Sequence, residues 1–224
     1  MQVIVDNLDV FGRGIWGTVT LFFWATLGSL VLGTVLAVFR ISPSAALRAF
    51  GTTYVNVFRN TPLTLIMVFC VLCLPTLQIT FSDDTARQYR AYAILALVAY
   101  TSCFVCEAVR SGINTVPLGQ AEAARAIGLP FTGVLRLVVL PQAFRAVVPP
   151  LGSVLNALLK NTSVASAASN YELVSAMRNL VEQNGNAVIA VLIGITVAYM
   201  LLAGVLFTGV TLLERRTARS GANA

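Results

Sequence analysis

Uncharged apolar runs alternate with short charged stretches along this chain. Gly14 to Phe39 holds no charge, and neither does Asn60 to Ser82. Ala91 to Cys106 is shorter but strongly apolar. Ala146 to Leu159 leads into the small residues Thr162 to Ala168, and Gln183 to Leu213 is again uncharged. A helix needs about 20 apolar residues to cross a hydrocarbon layer about 30 Å thick. The pattern predicts an all-α membrane protein with five transmembrane helices, over about 15–39, 59–80, 91–110, 147–168 and 188–212. Strands are not expected. An open strand edge cannot live in lipid, and a barrel would alternate residue by residue.

The connection from Arg110 to Arg145 is far longer than two helices need. Pro117 suits a helix start, and the run Ala121 to Ile127 is rich in strong helix formers. Gly128 suits a C-terminal cap, and Pro130 prevents continuation. The pattern predicts a short amphipathic helix within loop 111–146, between the third and fourth spans, lying at the cytoplasmic face. Its alanines, Ala121, Ala123, Ala124 and Ala126, suit close packing on a partner better than anchoring in lipid.

Composition narrows the class. The chain has 224 residues, 57% hydrophobic and 11% charged, with a mean hydropathy of +0.82. A soluble domain carries about 25% charged residues, so a water-soluble globule and a disordered chain are both excluded. The whole of 1–224 reads as one transmembrane domain. The net charge of +6 reports topology here rather than nucleic-acid binding. With the N-terminus outside, the inside segments hold Arg40, Arg48, Arg110, Arg125, Arg136, Arg145, Arg215, Arg216 and Arg219. The outside segments hold Arg13, Arg87, Arg90 and Arg178, offset by Asp6, Asp9, Asp83, Asp84, Glu172 and Glu182. Positive charge favours the cytoplasmic side, so the expected topology is N-terminus outside, C-terminus cytoplasmic. No cleavable signal is expected, because Asp6 and Asp9 head the chain and the first apolar run is too long for a signal core.

Several motifs are better explained by structure than by chemistry. Gly12-Arg13-Gly14-Ile15-Trp16-Gly17 spells a dinucleotide fingerprint but opens a span instead of following a strand. Cys70/Cys73 and Cys103/Cys106 have zinc-site spacing, yet both pairs lie in apolar spans, where cysteine serves as a small buried hydrophobe. No histidine is present, which excludes histidine catalysis and histidine metal ligation. The single lysine, Lys160, follows Leu159, so no phosphate-binding loop precedes it. No metal is expected, and any ATPase must be another chain.

Polar residues at membrane depth are costly and mark function. Two places stand out: Arg59-Asn60-Thr61-Pro62 at the start of the second span, and Lys160-Asn161-Thr162-Ser163 within the fourth. Pro62 breaks its helix, and broken segments tend to line cavities. Neither Arg59 nor Lys160 has an acid close in sequence.

The long loop also resembles a known signature. Glu122-Ala123-Ala124, three residues, Gly128, nine residues, Val138, one residue, Leu140-Pro141 follows the EAA motif of permease subunits in bacterial ABC importers, with valine for isoleucine at 138. Phe58-Arg59-Asn60-Thr61-Pro62-Leu63, Glu107 to Ile113, Gly119-Gln120, Leu140 to Ala143 and Lys160 to Ser163 resemble segments of the polar amino acid branch. Overall the chain is similar to the paired permeases of actinobacterial glutamate importers. The resemblance covers about residues 15–213 and implies the type I importer permease fold, in a multi-pass protein of the bacterial plasma membrane. It implies a second permease subunit, identical or different, a cytoplasmic ATPase dimer carrying ATP and Mg, and an extracytoplasmic substrate-binding protein. It assigns Glu122, Ala123, Ala124 and Gly128 to the ATPase-coupling surface and implies no enzyme activity or cofactor on this chain.

Two departures bear on the solute. Asn60 replaces a usual glycine, and Asn161 replaces a frequent aspartate, which leaves the pathway more positive. Arg59, Thr61, Lys160, Asn161, Thr162 and Ser163 are the candidate pathway residues, with glutamate or another acidic or amide amino acid as the expected solute. The alternatives are a permease for basic amino acids and a secondary transporter. The latter usually shows repeats and more spans.

Overall fold

The fold is taken from a computed structural model that describes residues 2–222. Residues 223–224 of the expected cytoplasmic tail, and the side chain of Arg219, lie outside that description. The helices run in the order α1 (Gln2–Asp6), α2 (Leu8–Ile41), α3 (Ala45–Asn60), α4 (Leu63–Thr76), α5 (Thr85–Asn114), α6 (Leu118–Ala126), α7 (Phe131–Gly133), α8 (Leu140–Asn161), α9 (Leu173–Gln183) and α10 (Val188–Ala222). A π-helical stretch, Val134–Val139, joins α7 to α8, and a 3-10 turn, Thr162–Ala168, extends α8. No strand occurs among the described residues.

Four helical stretches are long and apolar enough to cross a membrane: Leu8–Ile41, Thr85–Asn114, Phe131–Ala168 and Gly185–Thr217. The expected second span is different. It is a bent pair, α3 and α4, meeting at 101° around Thr61 and Pro62, and it makes a fifth span only if the pair is counted as one. Proline has no N–H to continue α3 and disfavours helical geometry in the residue before it. Thr61 accordingly takes an extended conformation. α4 has 14 residues, a rise of about 21 Å, short of the hydrocarbon thickness.

The other spans run past their expected ends, because a helix can leave the hydrocarbon without ending. α5 continues to Asn114, and the helix bearing the fourth span already starts at Phe131. Much of the expected loop 111–146 is therefore helical. α9 was not expected at all. Its signals were present in Glu172 as N-cap and in the buried Leu173, Ala176 and Leu180 at helical spacing.

α5 packs against both α2 and α8. Close approach depends on glycine. A Cβ at Gly33 would come within 2.6 Å of Val105 and 2.8 Å of the Ser102 carbonyl oxygen. The string Gly12 to Gly17 lies within α2, where its glycines make room for another segment. A Cβ at Gly14 would meet Ala176 Cβ at 3.0 Å, and one at Gly17 would run into the Tyr171 carbonyl.

Three apolar clusters hold the bundle. The largest joins α2, α4, α5 and α8 through Leu21, Met67, Tyr92, Leu97 and Leu158. A second joins α2, α9 and α10 through Phe11, Leu173, Leu180 and Val191. The third seats α3 through Leu36, Val55, Cys103 and Cys106. Large apolar side chains also face outward along the spans, among them Phe23, Val31, Leu72, Met200 and Phe207. So many large apolar side chains on the exterior suit lipid and not water.

Candidate functional site

The loop helix is built by its ends. Pro117 takes an extended conformation before α6, and its carbonyl accepts from Gln120 N at 3.0 Å. At the other end Gly128 N donates to Arg125 O at 3.0 Å and Leu129 N to Ala124 O at 3.2 Å. This pair of bonds is the Schellman cap, which needs a left-handed residue. Gly128 supplies it with φ +89°, and a Cβ there would touch nothing within 4 Å. Glycine is required by the backbone conformation and not by space. Pro130 then opens the next helix, accepting from Val134 N at 3.0 Å.

Glu122, Ala123 and Gly128 are exposed, whereas Ala124 is turned inward. α6 packs against the π-helical stretch, whose Val134 is also buried. Gln142 fixes the helix to α8: its Nε2 donates to Gln120 Oε1 at 2.7 Å and to Val138 O at 2.9 Å. Sequence reasoning missed the large apolar residues bracketing α6. Leu118, Ile127 and Phe131 are 79%, 81% and 75% exposed. The signal was three bulky apolar side chains in a loop that has no interior to receive them.

The membrane-depth candidates do not come together. Lys160 and Ser163 line a cavity of about 610 Å³ between α8 and α10, with Asn156, Thr196 and Tyr199. Asn161 lies on a separate cavity of about 420 Å³ between α8 and α5, with Tyr100, Thr101 and Ser153. Consecutive helical residues point about 100° apart, so Lys160 and Asn161 diverge. Thr61, Thr162 and Ser163 do not offer free hydroxyl donors, since each donates to a backbone carbonyl, of Val57, Leu159 and Lys160 respectively, at 2.6–2.8 Å. Thr162 is also fully buried.

The two cations differ as well. Arg59 is not isolated from acids. Glu107, remote in sequence, lies 3.8 Å from its Nη1. α3 lies over the α2–α5 pair and brings the two together. Lys160 Nζ has no ion-pair or hydrogen-bond partner among the described residues.

Glu172 is a further buried acid that sequence reasoning left unassigned. Its carboxylate accepts from Val174 N at 2.8 Å, Ser175 N at 2.9 Å and the Tyr199 hydroxyl at 3.2 Å. It caps α9 and ties it to α10. Burial pushes its pKa up, and the hydrogen bonds oppose that rise.

Comparison with known proteins decides the family. Residues 29–219 match the family described as binding-protein-dependent transport system inner membrane component. The chain belongs to this family. It is therefore a multi-pass membrane permease. It is 42% identical to the glutamate transport system permease protein GluC of Corynebacterium efficiens, over 84% of this chain and 85% of that one. It is 34% identical to the probable glutamine ABC transporter permease protein GlnM of Bacillus subtilis, over 98% and 99%. The crystal structure of an amino acid ABC transporter with histidines superposes with a TM-score of 0.85 at 24% identity, covering 95% of this chain and 96% of that one. That likeness shows the fold, which is the type I importer permease fold.

Proposed function

We propose that this chain is one permease subunit of an ATP-driven importer for glutamate or a related acidic or amide amino acid. The bent pair counts as one span, giving five, with the N-terminus outside and the C-terminus in the cytoplasm. Two such subunits, identical or different, form the pore. α6 docks on a cytoplasmic ATPase dimer, which holds ATP and Mg. An extracytoplasmic binding protein delivers the solute. Glu122, Ala123 and Gly128 present the docking surface, and Ala124 supports it from within by letting α6 sit close to the π-helical stretch.

The observation that carries the solute assignment is Lys160, a cation without an ion-pair partner among the described residues, on the wall of a cavity of about 610 Å³. A charge at membrane depth without a partner is unfavourable, and an anionic group passing through relieves it. Similarity to permeases of glutamate and glutamine importers supports the same class. A basic amino acid would meet like charge at Lys160. The test is purification of the native complex. Co-purifying ATPase and glutamate-dependent uptake into proteoliposomes support the importer. A chain that carries glutamate alone, driven by an ion gradient, is a secondary transporter instead.

A further inference from the structure

Arg40 and Arg59 lie on different helices yet reach one oxygen. Arg40 Nη1 is 2.5 Å from Glu107 Oε1, and Arg59 Nη1 is 3.8 Å from the same atom. The side chains of Arg40, Glu107 and Arg59 are 11%, 34% and 53% exposed. These distances decide which arginine holds the carboxylate. The shorter is a charge-assisted hydrogen bond, whereas 3.8 Å is beyond hydrogen-bond reach.

Arg40 is also fixed in place. α3 lies on its stem, so that a Cβ at Gly51 would meet Arg40 Cγ at 2.9 Å. Its Nη1 reaches Cys106 Sγ at 3.9 Å, and its buried Nε has no hydrogen-bond partner among the described residues. Arg59 is the freer group, at the end of α3 beside the break. Arg110, one turn further along α5, adds to the positive field and does not oppose it.

We infer that Arg40 is a specificity-determining positioning residue: by engaging Glu107 it keeps that carboxylate from neutralising Arg59, which stays available to a carboxylate of an anionic solute at the α3–α4 break. This rests on the reading of Arg59 as a pathway residue. The chemistry is a matter of charge. With Arg40 present the three side chains carry one net positive charge, and it resides at the exposed Arg59. Without Arg40, Glu107 and Arg59 close into a neutral pair.

Binding of labelled L-glutamate and of L-glutamine, its neutral isostere, to the permease–ATPase complex in nanodiscs without binding protein tests this. Arg59→Gln is expected to lower the glutamate-to-glutamine affinity ratio about tenfold. Arg40→Met should lower the ratio similarly in the otherwise native complex and have no further effect in the Arg59→Gln background. Glu107→Gln should keep or raise the ratio, and adding it to Arg40→Met should restore glutamate binding. If Arg59→Gln leaves the ratio unchanged, the pathway reading of Arg59 fails. If Arg59→Gln lowers it but Arg40→Met does not, or Arg40→Met weakens both solutes equally, the role assigned to Arg40 is wrong. Should Arg40→Met fail to assemble, Glu107→Gln decides alone, and a fall in its ratio overturns the inference.

Discussion

At the scale of single residues, identity matters most where the backbone or an unpaired charge leaves no substitute. Gly128 at φ +89° closes the α6 cap. A β-branched residue there costs about 1–2 kcal/mol and spoils the cap, whereas asparagine tolerates left-handed geometry. Gly128→Val should leave the protein inserted while lowering both uptake and stimulated ATP hydrolysis, and Gly128→Asn should lower them much less. Equal activity of the valine variant would remove Gly128 from the coupling surface. Lys160→Met should depress glutamate uptake at saturating binding protein, normalised to inserted complex. Asn161→Asp should have a smaller effect, because Asn161 lies on the other cavity.

Glu172 gives a pH dependence of known sign. Its carboxyl is held above the usual carboxylate range by burial. The folded chain therefore holds that proton to higher pH than the unfolded chain does. Its contribution to stability is fullest below the ordinary carboxylate pKa and is lost as pH rises through the raised, folded-state value. Glutamine carries no titrating group, so the melting-temperature difference between wild type and Glu172→Gln should shift against the wild type as pH rises, then level off. A difference that is flat from pH 4 to 8 would falsify the buried, titrating role. Glu172→Ala should cost more than Glu172→Gln, about 1 kcal/mol for the cap in addition to the lost Tyr199–Glu172 hydrogen bond.

At the scale of elements, the tight seam is α2 against α5. Gly33 faces Val105 and Ser102 with no room for a side chain, while a Cβ at Gly204 on α10 would meet nothing within 4 Å. Gly33→Val should destabilise the bundle by about 1–3 kcal/mol through overpacking and reduce the amount of folded protein. Gly204→Val should leave folded protein near wild type, measured by fluorescence size-exclusion in detergent. If both behave alike, the α2–α5 seam is looser than the packing requires. The bent pair α3–α4 behaves differently. Its break depends on Pro62, legible in sequence, but its 101° angle depends on the seating of Val55 and Gly51 over α2 and α5.

At the scale of the whole molecule, arginine asymmetry predicts which face meets the cytoplasm. With the four cysteines replaced by alanine, single cysteines at Ala123 and Asp83 test it, both positions being exposed. Ala124, within the motif, is buried and unsuited to labelling. An impermeant thiol reagent applied to intact cells should label position 83 and not 123. The reverse pattern inverts the topology.

The sequence alone determined the class and the capped loop helix, and it predicted five spans, of which four are long single helices in the structure and the second is the bent pair α3–α4. Hydrophobic burial in lipid and turn chemistry are local properties, written residue by residue. Gly128 and Pro130 stated the end of α6 without any tertiary partner. Only the tertiary structure decided how far helices run beyond the apolar stretch, because a hydrogen-bonded helix does not stop where charge begins. It also decided that Lys160 and Asn161 part company, that Ala124 turns inward, and that Glu107 reaches Arg59 from 48 positions away. The two cavities are set by where α5 and α10 flank α8, the burial of Ala124 by α6 lying on the π-helical stretch, and the Glu107–Arg59 approach by α3 packing on α5; a reading of neighbours along the chain holds no information about that packing.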